Sequence, residues 1–190
     1  MLKFTVLALI AVSSVNAQGD YHTSASKQFG DANRNVVLSG YGSQPANGPP
    51  TLGGAATFNA NNHAASLGGS HTLGVGSQVT GSGSLNLANS GPHRLDANAF
   101  HTHNFPNHGK SFGTSGGGLG YTHANGHGLS GSVSHTPMFK QTETRVQGNV
   151  NLFKDRHSSL DAHVGRSQSF SPYGNSRPNH FGGITYQRRF

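Results

Sequence analysis

An all-β fold, with duplicated antiparallel hairpin units forming a curved sheet or small barrel around a thin core, follows from three features of this sequence. Side-chain character alternates with a period of two through several runs, as in strands with one apolar and one wet face. Turn signals separate these runs, Asn125-Gly126 being the strongest, because such a pair accepts the positive φ angles of a type I′ hairpin turn. Blocks of residues also recur 64 or 65 positions apart, a period too long for a solenoid of short repeats and suited to duplicated hairpin units.

In chain order, Lys3, an apolar run from Phe4 to Val12 and the small-x-small triplet Val15-Asn16-Ala17 predict a secretory signal peptide over 1–17, cut between Ala17 and Gln18. The apolar run is too short to span a bilayer, which takes about 18 residues or more, and no later stretch predicts a transmembrane helix. Residues 18–51 read as a polar lead-in, interrupted by Ala46-Asn47-Gly48-Pro49-Pro50, with one strand predicted over Asn35 to Tyr41.

Residues 52–113 form a first glycine-rich unit and 114–190 a second, basic one that ends in a truncated third copy. Gly53-Gly54 answers Gly117-Gly118, and Ser70-His71-Thr72 answers Ser134-His135-Thr136. Asn86-Leu87-Ala88 answers Asn151-Leu152-Phe153, and Leu95-Asp96-Ala97 answers Leu160-Asp161-Ala162. In the third copy, Gly182-Gly183-Ile184-Thr185-Tyr186 echoes Gly117 to Tyr121. The alternation is clearest where Val146, Val150 and Leu152 share one parity while Arg145, Gln147, Asn149 and Asn151 hold the other. A second hairpin is predicted to turn at Lys154 to His157 and to return through Leu160, Ala162 and Val164.

Composition sets the limits of such a fold. Only 32% of the residues are hydrophobic, 28 are glycine and none is cysteine. Little apolar area is available to oppose backbone entropy, and no disulfide can compensate, so partial disorder in solution is expected. Charge is uneven: residues 18–113 carry four basic against three acidic side chains, residues 114–190 eight against three. The asymmetry directs an anionic partner to the C-terminal half. Thirteen histidines hold further positive charge for acidic surroundings.

The duplicated Gly-rich units, the block Tyr121 to Ser130 and the C-terminal Arg177-Pro178-Asn179-His180-Phe181-Gly182-Gly183 resemble the attacins, and the second-unit pattern is shared by the related diptericins. The resemblance covers essentially the whole chain after the leader. It implies a secreted, haemolymph-borne antibacterial effector of insect innate immunity. It also implies action mainly on Gram-negative bacteria, through lipopolysaccharide and loss of outer-membrane integrity.

The side chains are compatible with that partner, since arginine contacts phosphate bidentately and lysine as a point charge. Lys140, Arg145, Lys154, Arg156, Arg166, Arg177, Arg188 and Arg189 are the candidate envelope-binding residues, with Phe139, Phe153, Phe170, Phe181, Tyr186 and Phe190 for apolar contact. Catalysis, cofactors and nucleic acid are not expected. Asp96 and Asp161 occupy equivalent repeat positions, as structural residues do, and the Gly113 to Gly120 stretch lacks the Lys-Ser/Thr ending of a phosphate loop. His101-x-His103 has no thiolate or carboxylate cluster to complete a metal site, so no metal is assigned. A glycine-rich extracellular structural protein and a His-rich metal-binding protein are the alternative readings. Oligomeric state is not legible.

Overall fold

A computed structural model describes residues 12–15, 21–31, 33–155 and 158–188. The strands are β1 (Val12–Val15), β2 (Tyr21–Gly30), β3 (Arg34–Gln44), β4 (Thr51–Ala60), β5 (His63–Thr72), β6 (Gly76–Ser90) and β7 (His93–Pro106). They continue as β8 (Phe112–His123), β9 (Gly128–Thr136), β10 (Gln141–Lys154), β11 (Ser158–Ser171), β12 (Gly174–Asn175) and β13 (Asn179–Arg188). Among the described residues, the only helical turn is a single 3-10 turn at Pro137–Phe139, and no helix is long and apolar enough to cross a membrane.

The strand order follows the chain from β1 to β12, and β13 returns to pair with β11 beside β12. Of the two expected forms, this order is that of an open sheet: no pairing joins its first and last strands among the described residues. Short connections suffice, because each antiparallel partner lies one hairpin away. The lead-in is therefore more structured than its polar composition suggests. It holds β3 and a further strand, β2, paired in register from Tyr21 opposite Gln44 to Gly30 opposite Asn35. Strand β1 falls within the segment read as leader and pairs with β2; the predicted cleavage residues Ala17 and Gln18 lie outside the described residues.

Two compact units emerge, one comprising residues 1–83 and 102–112, the other 84–101 and 113–190. In the second unit, register assigns every side chain to one of two faces. Leu119 pairs with Gly131 and Tyr121 with Leu129; Val146 lies opposite Gly131 and Gly148 opposite Leu129. Val146 also pairs with Arg166, Gly148 with Val164 and Val150 with Ala162. Ala162 in turn lies opposite Ile184, and Leu160 opposite Tyr186. A bulge between Asn151 and Phe153 resets the parity so that Phe153 joins Leu160 on this apolar face. The other parity carries Ser130, Ser132, Arg145, Gln147, Asn149, Asn151, Asp161 and His163.

Most of the larger side chains are more covered on the polar parity than on the apolar one, although Ser130, Ser132 and Arg145 are exposed and Leu160 and Ala162 half-buried. Gln147, Asn149, Asn151, Asp161, His163, Ser167 and Ser169 are half-buried, whereas Leu119, Leu129, Val146, Val150, Val164, Ile184 and Tyr186 are exposed. The first unit repeats the inversion by itself. Leu52, Phe58 and Leu67 are exposed, while Thr51, Thr57, Asn59 and Ser66 are half-buried. No hydrophobic side chain is buried among the described residues, so the core is thinner still than composition predicts.

Polar clamps on the covered face substitute for a core, and they reproduce the sequence repeat. Asn86 Nδ2 donates to Asp96 Oδ1 at 2.9 Å and to the carbonyls of Ala88 and Leu95. Asn151 Nδ2 donates to Asp161 Oδ1 at 2.7 Å and to the carbonyls of Phe153 and Leu160. Threonine hydroxyls also pair across strands, Thr51 with Thr72 at 2.9 Å, Thr80 with Thr102 at 2.8 Å and Thr114 with Thr136 at 2.7 Å. Gly165 is buried beneath the Phe181 ring, where an added Cβ would collide with it.

The turn at Asn125-Gly126 departs from expectation. Only Gly126, at φ +87°, has positive φ there, and its N–H bonds the His123 carbonyl at 2.8 Å. The result is a three-residue connection with glycine in the left-handed position rather than a type I′ turn. Asn149 Nδ2 ties the connection down by donating to the Gly126 carbonyl at 2.6 Å. Two successive positive φ angles, +50° and +68°, occur instead at Asn61 and Asn62, the equivalent point of the first copy, where Ala60 and His63 pair directly.

Because the two Asn-Asp clamps are equivalent, Asn86→Ala and Asn151→Ala are each expected to lower stability by about 1–2 kcal/mol, the cost of leaving a carboxylate short of its donor. Thermal melts followed by circular dichroism in the strand region check this, and a loss at one position without the other would break the equivalence.

Candidate functional site

The second unit holds all eight predicted envelope-binding cations, and register distributes them to opposite ends of its strands. Lys140 follows the 3-10 turn between β9 and β10, with φ +49° and its N–H bonded to the Pro137 carbonyl at 3.0 Å. Arg177 lies in the connection between β12 and β13, at the end of β11 where Ser167 pairs with Asn179. Lys154 and Arg188 mark the other end, opposite Ser159 and Ser158. Arg156, Arg189 and Phe190 lie outside the described residues.

Arg145 and Arg166 occupy opposite faces. Arg145 is on the polar parity, its guanidinium 4.6 Å from the Phe181 ring centroid and its Nη2 donating to Gln147 Oε1 at 3.2 Å. Phe181 thereby serves as the platform that covers Gly165 and carries Arg145. Arg166 is on the apolar parity, opposite Val146 and His180, and donates to Gln168 Oε1 at 3.1 Å. The predicted cations therefore do not converge on one patch.

Of the predicted aromatic contacts, Phe139, Phe153 and Tyr186 are exposed and Phe170 is half-buried at the far end of β11. The larger apolar surface is aliphatic and was not among the predicted contacts. Leu119, Leu129, Val133, Val146, Val150, Val164 and Ile184 share one face, with Ile184 70% and Val164 66% exposed. The alternation of these residues with Ser, Asn and Gln in β9 and β10 was the available signal.

Histidines join the apolar parity at several points. His93 Nδ1 lies 2.7 Å from Tyr121 Oη, and its ring meets the His123 ring at 5.0 Å between centroids. His135 Nδ1 lies 2.9 Å from Thr142 Oγ1, as His71 Nδ1 lies 2.9 Å from Ser77 Oγ in the first unit. Among the described residues, no group of three or more His, Asp or Glu has an arrangement able to hold a metal ion. A recess of about 180 Å³ beside Val75, Gly76, Phe105 and Phe112 is smaller than ordinary small-molecule pockets, which start at about 300 Å³.

Among the described residues the one ion pair is Arg94 Nε to Asp96 Oδ2, at 2.7 Å. The hydrogen bond from Arg94 holds the Asp96 carboxyl below its ordinary range, with partial burial opposing and the Asn86 amide assisting. Asp31 is lowered as well, by the backbone N–H groups of Arg34 and Asn33, each donating at 2.8 Å.

An antiparallel meander of duplicated glycine-rich hairpins, with polar and apolar side chains on opposite parities and basic residues concentrated toward its C-terminus, defines the class. Residues 73–190 match the family model described as Attacin, C-terminal region. Attacin-A of Glossina morsitans morsitans is 34% identical over 181 residues, which cover 94% of this chain and 87% of that protein. Attacin-B of Drosophila melanogaster is 35% identical over 90% of this chain and 80% of its own length. Attacin-E of Hyalophora cecropia is 30% identical over 84% and 70%. The chain belongs to the attacin family, and with it to the antibacterial defence proteins of insects. No solved structure matches it.

The depressed Asp96 carboxyl makes the β6–β7 hairpin sensitive to acid. A carboxyl with a lowered folded pKa contributes stability that is complete above its unfolded value, about 3.9, and is lost as pH falls through the lower folded value. The Arg94→Ala variant is expected to be less stable than the parent at neutral pH, by no more than about 1 kcal/mol because the pair is largely exposed. The difference should shrink as pH drops below about 4. Thermal melts of the two proteins across that range check the sign.

Proposed function

We propose that this protein is a secreted, non-enzymatic effector that acts mainly on Gram-negative bacteria. Its cationic C-terminal half adheres to the lipopolysaccharide of the outer membrane, and adhesion is followed by loss of membrane integrity. Secretion into haemolymph, after removal of residues 1–17, brings it to its target. Lipopolysaccharide phosphates are the partner of Lys140, Lys154, Arg166 and Arg177, with Arg156, Arg188 and Arg189 extending the same field.

The observation that carries the reading is that Lys140, Lys154, Arg166 and Arg177 have no carboxylate partner among the described residues. Among the described residues the ion pair falls at Arg94 and Asp96, and Lys140, Arg145, Lys154, Arg166 and Arg177 form none. A surface with eight basic and three acidic side chains leaves a field available to phosphate. Distribution of the cations over both ends of the strands favours a wide anionic surface over a single small anion.

The reading is tested by binding of the full chain to purified lipopolysaccharide and by permeabilisation of Gram-negative cells. Affinity is expected to fall steeply from about 0.01 M to 1 M salt, as the screening length contracts from about 30 Å to about 3 Å. Combined Lys140→Ala, Arg166→Ala and Arg177→Ala changes are expected to weaken binding about tenfold at low salt, given exposed charges worth a few tenths to 1 kcal/mol each. Salt-insensitive binding, or a triple variant that binds and permeabilises like the parent, would overturn it.

A further inference from the structure

We propose that the apolar face of β8, β9, β10, β11 and β13 lies flat against the acyl chains of an anionic bilayer, with the polar face turned to water. The proposal rests on the outer membrane as target and assigns a second, non-electrostatic contact to it.

Four observations favour lipid as the occupant. First, the accessibility of the two faces is inverted relative to a water-soluble sheet. Leu129 is 59%, Val164 66% and Ile184 70% exposed, while the alternate positions carry half-buried Gln147, which accepts from Arg145, Asn149, which donates to the Gly126 carbonyl, and Asp161, which accepts from Asn151. Second, the cross-strand ladder satisfies the backbone within the sheet, so the face can leave water without orphaned N–H or C=O groups. The open sheet keeps its edges, which hydrocarbon would not tolerate, so the face lies at the headgroup–acyl boundary rather than crossing the bilayer.

Third, amphipathic side chains stand on this face where headgroups would meet it. Arg166 and His180 are adjacent in register at one margin of the apolar band, and Tyr186 lies opposite Leu160 toward the other. Long cationic and phenolic side chains in such places bury their stems and keep their polar tips wet. Fourth, Gly131, Gly148 and Gly182 interrupt the band and leave an uneven relief. Fluid acyl chains fill such relief, whereas a rigid partner needs matching projections. A second copy stacked face to face would also bring Arg166 and His180 into a shared apolar interface, against the net charge of +7.

The chain contains no tryptophan, so a single introduced indole reports its own surroundings. Leu129→Trp and Ser130→Trp place it on adjacent residues of β9 with opposite parity, Ser130 lying opposite Gly120. Each full-length variant is mixed with phosphatidylethanolamine–phosphatidylglycerol vesicles, with and without acyl-chain bromination. Leu129→Trp emission is expected to shift to shorter wavelength and to be quenched by the brominated lipid. Ser130→Trp is expected to stay accessible to aqueous iodide. Val164→Gln and Ile184→Gln, neutral changes, are each expected to lower vesicle partitioning about tenfold with an unchanged circular dichroism spectrum.

Equal behaviour of the two indoles on vesicles overturns the proposal. So does a blue shift of Leu129→Trp that needs protein concentration and no lipid, which assigns the face to a second copy. If the parent binds lipopolysaccharide in a salt-dependent way while Leu129→Trp is not quenched, adhesion stands and the lipid face falls. If the parent binds neither lipopolysaccharide nor vesicles, both readings fall.

Discussion

The backbone ladder between neighbouring strands is the constraint on which the rest of this molecule depends. A globular domain covers its apolar side chains with a second layer and lets the hydrophobic effect offset chain entropy. Here no hydrophobic side chain is buried among the described residues. Cohesion falls to paired peptide groups and to the side-chain bonds that fix their register.

Those side-chain bonds explain why the repeat is conspicuous at some positions and eroded elsewhere. Asn86 and Asn151 each gather a carboxylate and two carbonyls across a hairpin, and both copies keep the Asn and the Asp. Thr72 and Thr136, equivalent in the two copies, each pair with a threonine hydroxyl on the neighbouring strand, Thr51 and Thr114. Glycine serves the same end where an aromatic ring crosses a neighbouring strand. Gly165 lies beneath Phe181, and Gly53 faces Tyr41 so closely that a Cβ would stand 2.5 Å from Tyr41 Cζ. Positions without such a bond or contact are free to differ between the copies.

Much of the fold was legible because parity is a local property. The alternation of Thr144, Val146, Gly148 and Val150 with Arg145, Gln147 and Asn149 gives β10, and its partner follows from Leu160, Ala162 and Val164. Strand β2 was missed because Tyr21, Thr23, Ala25, Lys27 and Phe29 mix polar and apolar members on one face, with Lys27 Nζ 5.0 Å from the Phe29 ring centroid. The turn at Asn125 was misread in type because the His123 N–H bonds the His127 carbonyl at 2.8 Å, so three residues rather than two make the connection. The site was less legible than the fold. Parity separates two faces but does not say which is covered, so the aliphatic face was expected to be core. The basic residues were identified as a set, whereas their division between strand ends needed the register of β11 against both neighbours.

The order in which the strands pair, each of β2 to β12 with its predecessor in the chain, bears on how the molecule reaches its ordered state. Contacts between sequence neighbours close short loops, which costs little entropy and permits rapid formation. A hairpin formed anywhere offers its free edge as a template, so structure can lengthen like a zip, one ribbon at a time. A polypeptide built this way has no need to collapse as a whole before any part of it is set.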